Sequence, residues 1–222
     1  MTTETAFDKF QIKVNNNSET GKIAVDRGRF VIIFNEAQNR LIEYILEKKS
    51  EDDIRYIEKI LVQQFKLSLF KSDKEYQDFS LPKDYFDFSS LHATAKKGKC
   101  SDKRMTLFEI KDDDSFLILE DEYNNPSFLA REAPFSIASN RIKIYKDDTF
   151  EYDKVLLNYY RYPVQIKLVN DADPESDFAP DSNPEFDDKF IDRVLSVASG
   201  EFELNNENQK AQFDIQMAKQ KV

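Results

Sequence analysis

The residues whose types could do chemistry are few and scattered. Cys100 and His92 are the one thiol and the one imidazole of the chain. A nucleophilic pair of that kind needs a third group to orient the base, and none stands near them. One cysteine can close no intrachain disulphide, and together with one histidine it supplies too few ligands for zinc. In AKKGKCSDK the lysines surround a single glycine with no helix following, so the stretch reads as a solvated hairpin tip rather than a phosphate cradle. Asp112, Asp113 and Asp114 would suit a carboxylate-based hydrolase only if they converged on a cleft, and their setting predicts a turn. Asp171, Asp173, Glu175 and Asp177 alternate like the start of a calcium loop. However, Ser176 and Ser182 stand where such a loop needs glycine and glutamate. No catalytic, cofactor-binding or metal-ligating residue is assigned.

The composition narrows the classes further. At a net charge of -10 and a pI near 4.8, the chain as a whole repels nucleic acid and anionic membrane surfaces. Only 4 glycines among 222 residues argue against glycine-built phosphate loops and against a turn-rich sandwich. A charged fraction of 33% and a mean hydropathy of -0.65 imply a long wet surface, hence one domain with a protruding arm. No apolar run approaches the ~18 residues of a membrane span, and MTTETAFDKF lacks the basic start and apolar core of a signal peptide. A soluble protein of a reducing compartment is expected.

The elements that must position these residues give an α+β chain. Residues 1–25 read as an arm carrying Phe7, Phe10 and Ile12. From Asp26, a plausible cap, Phe30, Ile33 or Phe34, Ala37, Leu41 and Tyr44 predict a helix over 27–48. Ser50 and Asp53 resemble a capping box opening a second helix to about 64, completing an N-terminal helix pair. At Phe65 the period changes to two, with Phe65, Leu67 and Leu69 expected on one face. RMTLFEIK and SFLILE read as a hairpin turning at DDD, and RIKIYK as another strand. LLNYYRYPVQIKL, 156–168, reads as strand, break, strand, its Pro163 placing it at a sheet end or edge. The inserted region 65–168 is thus a small, mostly antiparallel sheet of four to six strands.

Residues 169–188 hold eight acids and three prolines and read as a solvated linker. In 189–222, Phe190, Ile191, Val194, Leu195, Ala198 and Phe202 predict a long C-terminal helix with an extended arm. That segment forms one structural domain with 1–64. Beyond Leu204 the sequence stays helix-compatible, with Phe213 and Ile215 among its few apolar groups, and reads as a frayed tail or a helix ordered by a neighbouring subunit.

DRGRFVIIFNEAQNRLIEYILEKKSEDDIRYIEKIL, LPKDYF, GKC, DEYNNPSFLAREAPFSI, LLNYYRYPVQIKL and FDDKFIDRVLSVASGEFELNNENQKAQFDIQMAKQ resemble the head-to-tail ring proteins of crAss-like tailed bacteriophages. The last two phrases are also similar in layout to adaptor proteins of short-tailed phages. The resemblance implies a virion structural protein of the head-tail connector or tail barrel, made in the bacterial host cytoplasm and without enzymatic activity. It implies a homo-oligomeric ring, a dodecamer matching the portal protein, in contact with portal and other tail ring proteins. DNA would pass through the channel unbound, and the chain's acidity would keep it from sticking. The subunit contacts are expected at Phe7, Phe10, Phe202, Leu204, Phe213 and Ile215. A monomeric host binding or scaffold module is the alternative, and a carboxylate-based hydrolase a more distant one.

Overall fold

The computed structural model describes residues 1–17, 23–100, 102–114, 121 and 125–219, with the backbone alone at 17 and 205–219. The chain forms two compact units: Met1–Lys59 with Pro163–Val222, and Ile60–Tyr162. The mixed α+β content is built from a helical unit and an inserted β unit.

The helical unit comprises α1 (Thr3–Asn17), α2 (Arg27–Lys48), α3 (Glu51–Ile57) and α4 (Asp188–Lys219). The expected N-terminal arm is corrected. Ala6, Phe7, Phe10 and Val14 recur at helical spacing and all four are buried, so the segment is a packed helix. Helix α2 matches its predicted bounds. Asp26 Oδ1 accepts from the Arg29 amide at 2.7 Å, and Lys49, in the left-handed region at φ 50°, closes the other end by donating to Ile45 O at 2.9 Å. Helix α3 stops short of the predicted residue 64. Past Ile57 the apolar residues Ile60, Leu61 and Val62 run consecutively, a pattern that suits a strand better than a helix face. The capping box also fails, because the Ser50 side chain makes no cap bond and its carbonyl accepts from Asp53 and Ile54 instead.

The predicted linker is corrected too. Residues 163–187 strap onto the helical unit, with the acids outward and Ile166, Leu168 and Phe186 buried. Asn35 grips the strap twice, donating to Ile166 O and accepting from Ile166 N, both at 3.0 Å. The Gly28 amide donates to Pro174 O at 3.2 Å, and a Cβ at Gly28 would stand 3.3 Å from the Pro174 backbone. Phe178 lies 5.7 Å from the Phe7 ring and 5.9 Å from that of Phe30. At the strap's end Asp187 Oδ1 accepts from the Phe190 amide and starts α4.

The β unit holds β1 (Leu61–Lys66), β2 (Ser68–Ser72), β3 (Tyr76–Ser80), β4 (Tyr85–Lys96), β5 (Lys103–Glu109), β6 (Glu132–Ala138), β7 (Arg141–Tyr145) and β8 (Glu151–Arg161). Their order is β1-β8-β4-β5-β6-β7-β3-β2, antiparallel except for β5 with β6. The ends of this order are neighbours in sequence. Lys66 pairs with Leu156, the Leu67 amide donates to Val155 O at 3.0 Å, and Ser68 already pairs with Ser80. With consecutive Cα atoms ~3.8 Å apart, the sheet must curl into a barrel whose two edge strands meet at Leu67.

Leu67, Phe79, Leu91, Ala93, Phe135, Ile142, Ile144, Val155, Leu157 and Tyr159 fill its interior. Each larger side chain contributes about 1.5–3 kcal/mol on burial. The bend at Leu67 overturns the shared face expected for FKLSLFK, since Leu67 points inward while Phe65 and Leu69 are exposed. Strand β8 is paired on both sides, not at an edge, and Pro163 follows its last ladder residue. SFLILE lies outside the described residues, so the hairpin predicted there has no described second strand. Pro82 sits in the turn between β3 and β4, accepting from the Tyr85 amide.

Candidate interaction site

Helix α1 runs beside α4 in the same direction. The Met1 amine meets Asp188 at 3.0 Å, Lys9 meets Asp192 at 2.9 Å, Lys13 donates to Ser196 Oγ at 3.1 Å, and Phe10 meets the Phe202 ring edge-on at 5.9 Å. These contacts run from Asp188 to the turn of α4 at Phe202. On α2, Arg29 lies over the Phe202 ring at 4.3 Å and Arg40 meets Glu201 at 2.6 Å, so α2 crosses α4 at that same turn. Helix α4 then runs on to Lys219, about 22 Å past Leu204 at ~1.5 Å per residue.

Between α1 and α4, floored by Leu41 of α2, lies an open groove of about 750 Å³. Its apolar groups are Ile12, Leu41 and Val197. Ile12 is 58% exposed, out of phase with the buried stripe of its own helix. The rim carries Lys9, Lys13 and Arg193 against Asp192. Lys9 is neutralised by Asp192 and Arg193 by Asp53 at 2.7 Å, whereas Lys13 donates to a hydroxyl, so the groove keeps a positive edge.

The predicted contact residues divide. Phe7, Phe10 and Phe202 are 6%, 0% and 1% exposed, and they pack on one another and on Phe30 inside a single copy. That burial removes them as surface contacts, because a helix placing aromatics every third or fourth residue can hide them within its own unit. Leu204 is 61% exposed. The side chains of Phe213 and Ile215 lie outside the described residues. The sequence reading named Ile12 and Leu41 but, taking 1–25 as an arm, did not bring them together as a groove. Wound as a helix, that stretch leaves Ile12 conspicuously off the apolar stripe.

The chemistry-bearing residues do not converge. Cys100 is exposed, and among the described residues no three of His, Cys, Asp and Glu could hold a metal ion. Asp171, Asp173 and Asp177 sit in the strap's turns, where the Glu175 amide donates to Asp173 Oδ1 and the Val169 amide to Asp177 O. Asp112 is not the freely solvated turn residue the sequence suggested. Its Oδ1 accepts from Ser136 at 2.9 Å, Lys143 at 3.0 Å and Tyr145 at 3.2 Å on the barrel wall. The Lys143 hydrogen bond, then that of Ser136, holds the Asp112 carboxyl below its usual range. Burial, the largest influence, opposes the charge on Lys143, but the hydrogen bond and charge of Asp112 together with Tyr145 and Asp78 outweigh it and its pKa is raised. A lysine held protonated cannot take a proton from Ser136, so the cluster as it stands braces β6 and β7.

No helix among the described residues is long and apolar enough to cross a membrane. No protein-family model and no curated protein matches the chain.

Proposed function

We propose that this chain is a structural subunit of a tailed-bacteriophage virion. It forms a homo-oligomeric ring in the head-tail connector or tail barrel, joining portal and tail components around the DNA channel without itself catalysing a reaction. The observation that carries this reading is the extension of α4 as one helix to Lys219, 15 residues beyond the exposed Leu204. Such a projection stays ordered when a neighbouring body covers it. Contacts between copies therefore fall to α4 from Leu204 onward, not to Phe7 and Phe10. With -10 charges per copy, a ring of twelve would present a strongly acidic assembly, and acids facing the lumen would repel passing DNA.

The burial of Phe7, Phe10 and Phe202 inside one copy favours a second reading, a monomeric binding or scaffold module. Mixing with portal protein, followed by electron microscopy, separates the two. Rings are expected from the full chain and not from a chain ending at Glu203, which keeps every buried side chain among the described residues. A full chain that stays monomeric beside portal, or a shortened chain that still makes rings, overturns the proposal.

A further inference from the structure

We infer that the groove between α1 and α4 receives residues 205–219 of α4 from a second copy of this chain, an assignment that rests on the ring reading above. The groove is apolar at Ile12, Leu41 and Val197, and its exposed Ile12 is what a partner would cover. The chain cannot fill the groove with its own α4. Asp192–Val197 form one wall, and the same continuous helix climbs away from that wall as far as Lys219.

The sequence of the projecting turns supplies a fitting occupant. Leu204, Ala211, Ile215 and Ala218 fall on one helical stripe, flanked on one side by Glu207 and Asp214. Such a helix would set small and aliphatic groups into an apolar groove and carry its acids to the edge where Lys13 has no carboxylate partner among the described residues. Donor and acceptor are different surfaces of one chain, so each copy gives to one neighbour and takes from the other. That head-to-tail relation makes a ring when the rotation between copies closes.

Single-cysteine variants test it in full-length chains carrying Cys100→Ser. Mixing Ile12→Cys with Ile215→Cys under mild oxidation is expected to give a linked dimer, and one chain carrying both cysteines a ladder of multimers. Lys13→Glu should lower assembly by about two- to fivefold, and Asp214→Lys on the partner should restore it. Rings that form with portal but show no 12-to-215 link overturn the groove assignment and leave the ring reading standing. Chains that neither link nor assemble overturn both.

Discussion

Phe10 and Phe202 meet edge-on at 5.9 Å, and through them the first helix of the chain is locked to the last. Both rings are essentially inaccessible, at 0% and 1%. Phe10→Ala or Phe202→Ala should each destabilise the protein by about 3–5 kcal/mol in urea unfolding. The double variant should depart from additivity by about 0.5–1.5 kcal/mol. A cost for Phe10→Ala below ~1 kcal/mol would restore the idea of a loose N-terminal arm.

Asn35 holds the strap by both hydrogen bonds of Ile166. Asn35→Leu leaves a part-buried amide and carbonyl without partners and should cost about 1–3 kcal/mol. Limited proteolysis should then cut first within 163–187. Unchanged cleavage kinetics would mean that the strap is held elsewhere.

Asp112 makes acid stability dependent on one carboxylate. Its folded pKa lies below the unfolded value near ~3.9, so its contribution is present above that pH and is lost as pH falls through the depressed folded value. The stability gap between the native chain and Asp112→Asn should therefore be widest near neutrality and close as pH drops below about 4. A gap that does not vary between about pH 7 and 3 would show that the Lys143 pairing does not matter.

The barrel should weaken in alkali. Tyr159 is pushed up to about 12, first by burial and then by its hydrogen bond to Asp84 at 3.0 Å; Tyr85 is also pushed up to about 12, by burial. For a raised folded pKa, the stability is intact below the unfolded value of ~10 and drains as pH climbs through about 12. Tyr159→Phe should be less stable than the native chain near neutrality, with the difference shrinking over that window. Ultraviolet titration of the folded protein should find late-ionising tyrosines, and a single titration near ~10 would refute this account.

Sequence alone revealed what local chemistry decides. Asp26 and the stripe from Phe30 to Leu41 located α2, and the run from Phe190 to Phe202 located α4, because cap and period agree there. The alternation to the α+β class was equally visible. What escaped notice depends on distant partners. Phe7 and Phe10 looked greasy and homeless because their hosts, Phe30, Phe178 and Phe202, come from three other parts of the chain. The acids of 169–188 hid the anchoring role of Ile166, Leu168 and Phe178. Barrel closure hinges on Leu67, whose type says nothing of the two ladders it joins. The groove residue Ile12 was read, but as an anchor rather than as the one apolar side chain its helix leaves uncovered.

The β unit begins at a residue that lies beside the one near which it ends, since Leu61 and Tyr160 are ladder partners. Their Cα atoms are separated by about 5 Å, a gap that a tight turn of a few residues can bridge. The barrel is therefore a cassette whose two ends lie side by side. It can be excised with a short glycine and serine splice, or exchanged for another β domain with adjacent ends, while the helical scaffold keeps its continuity.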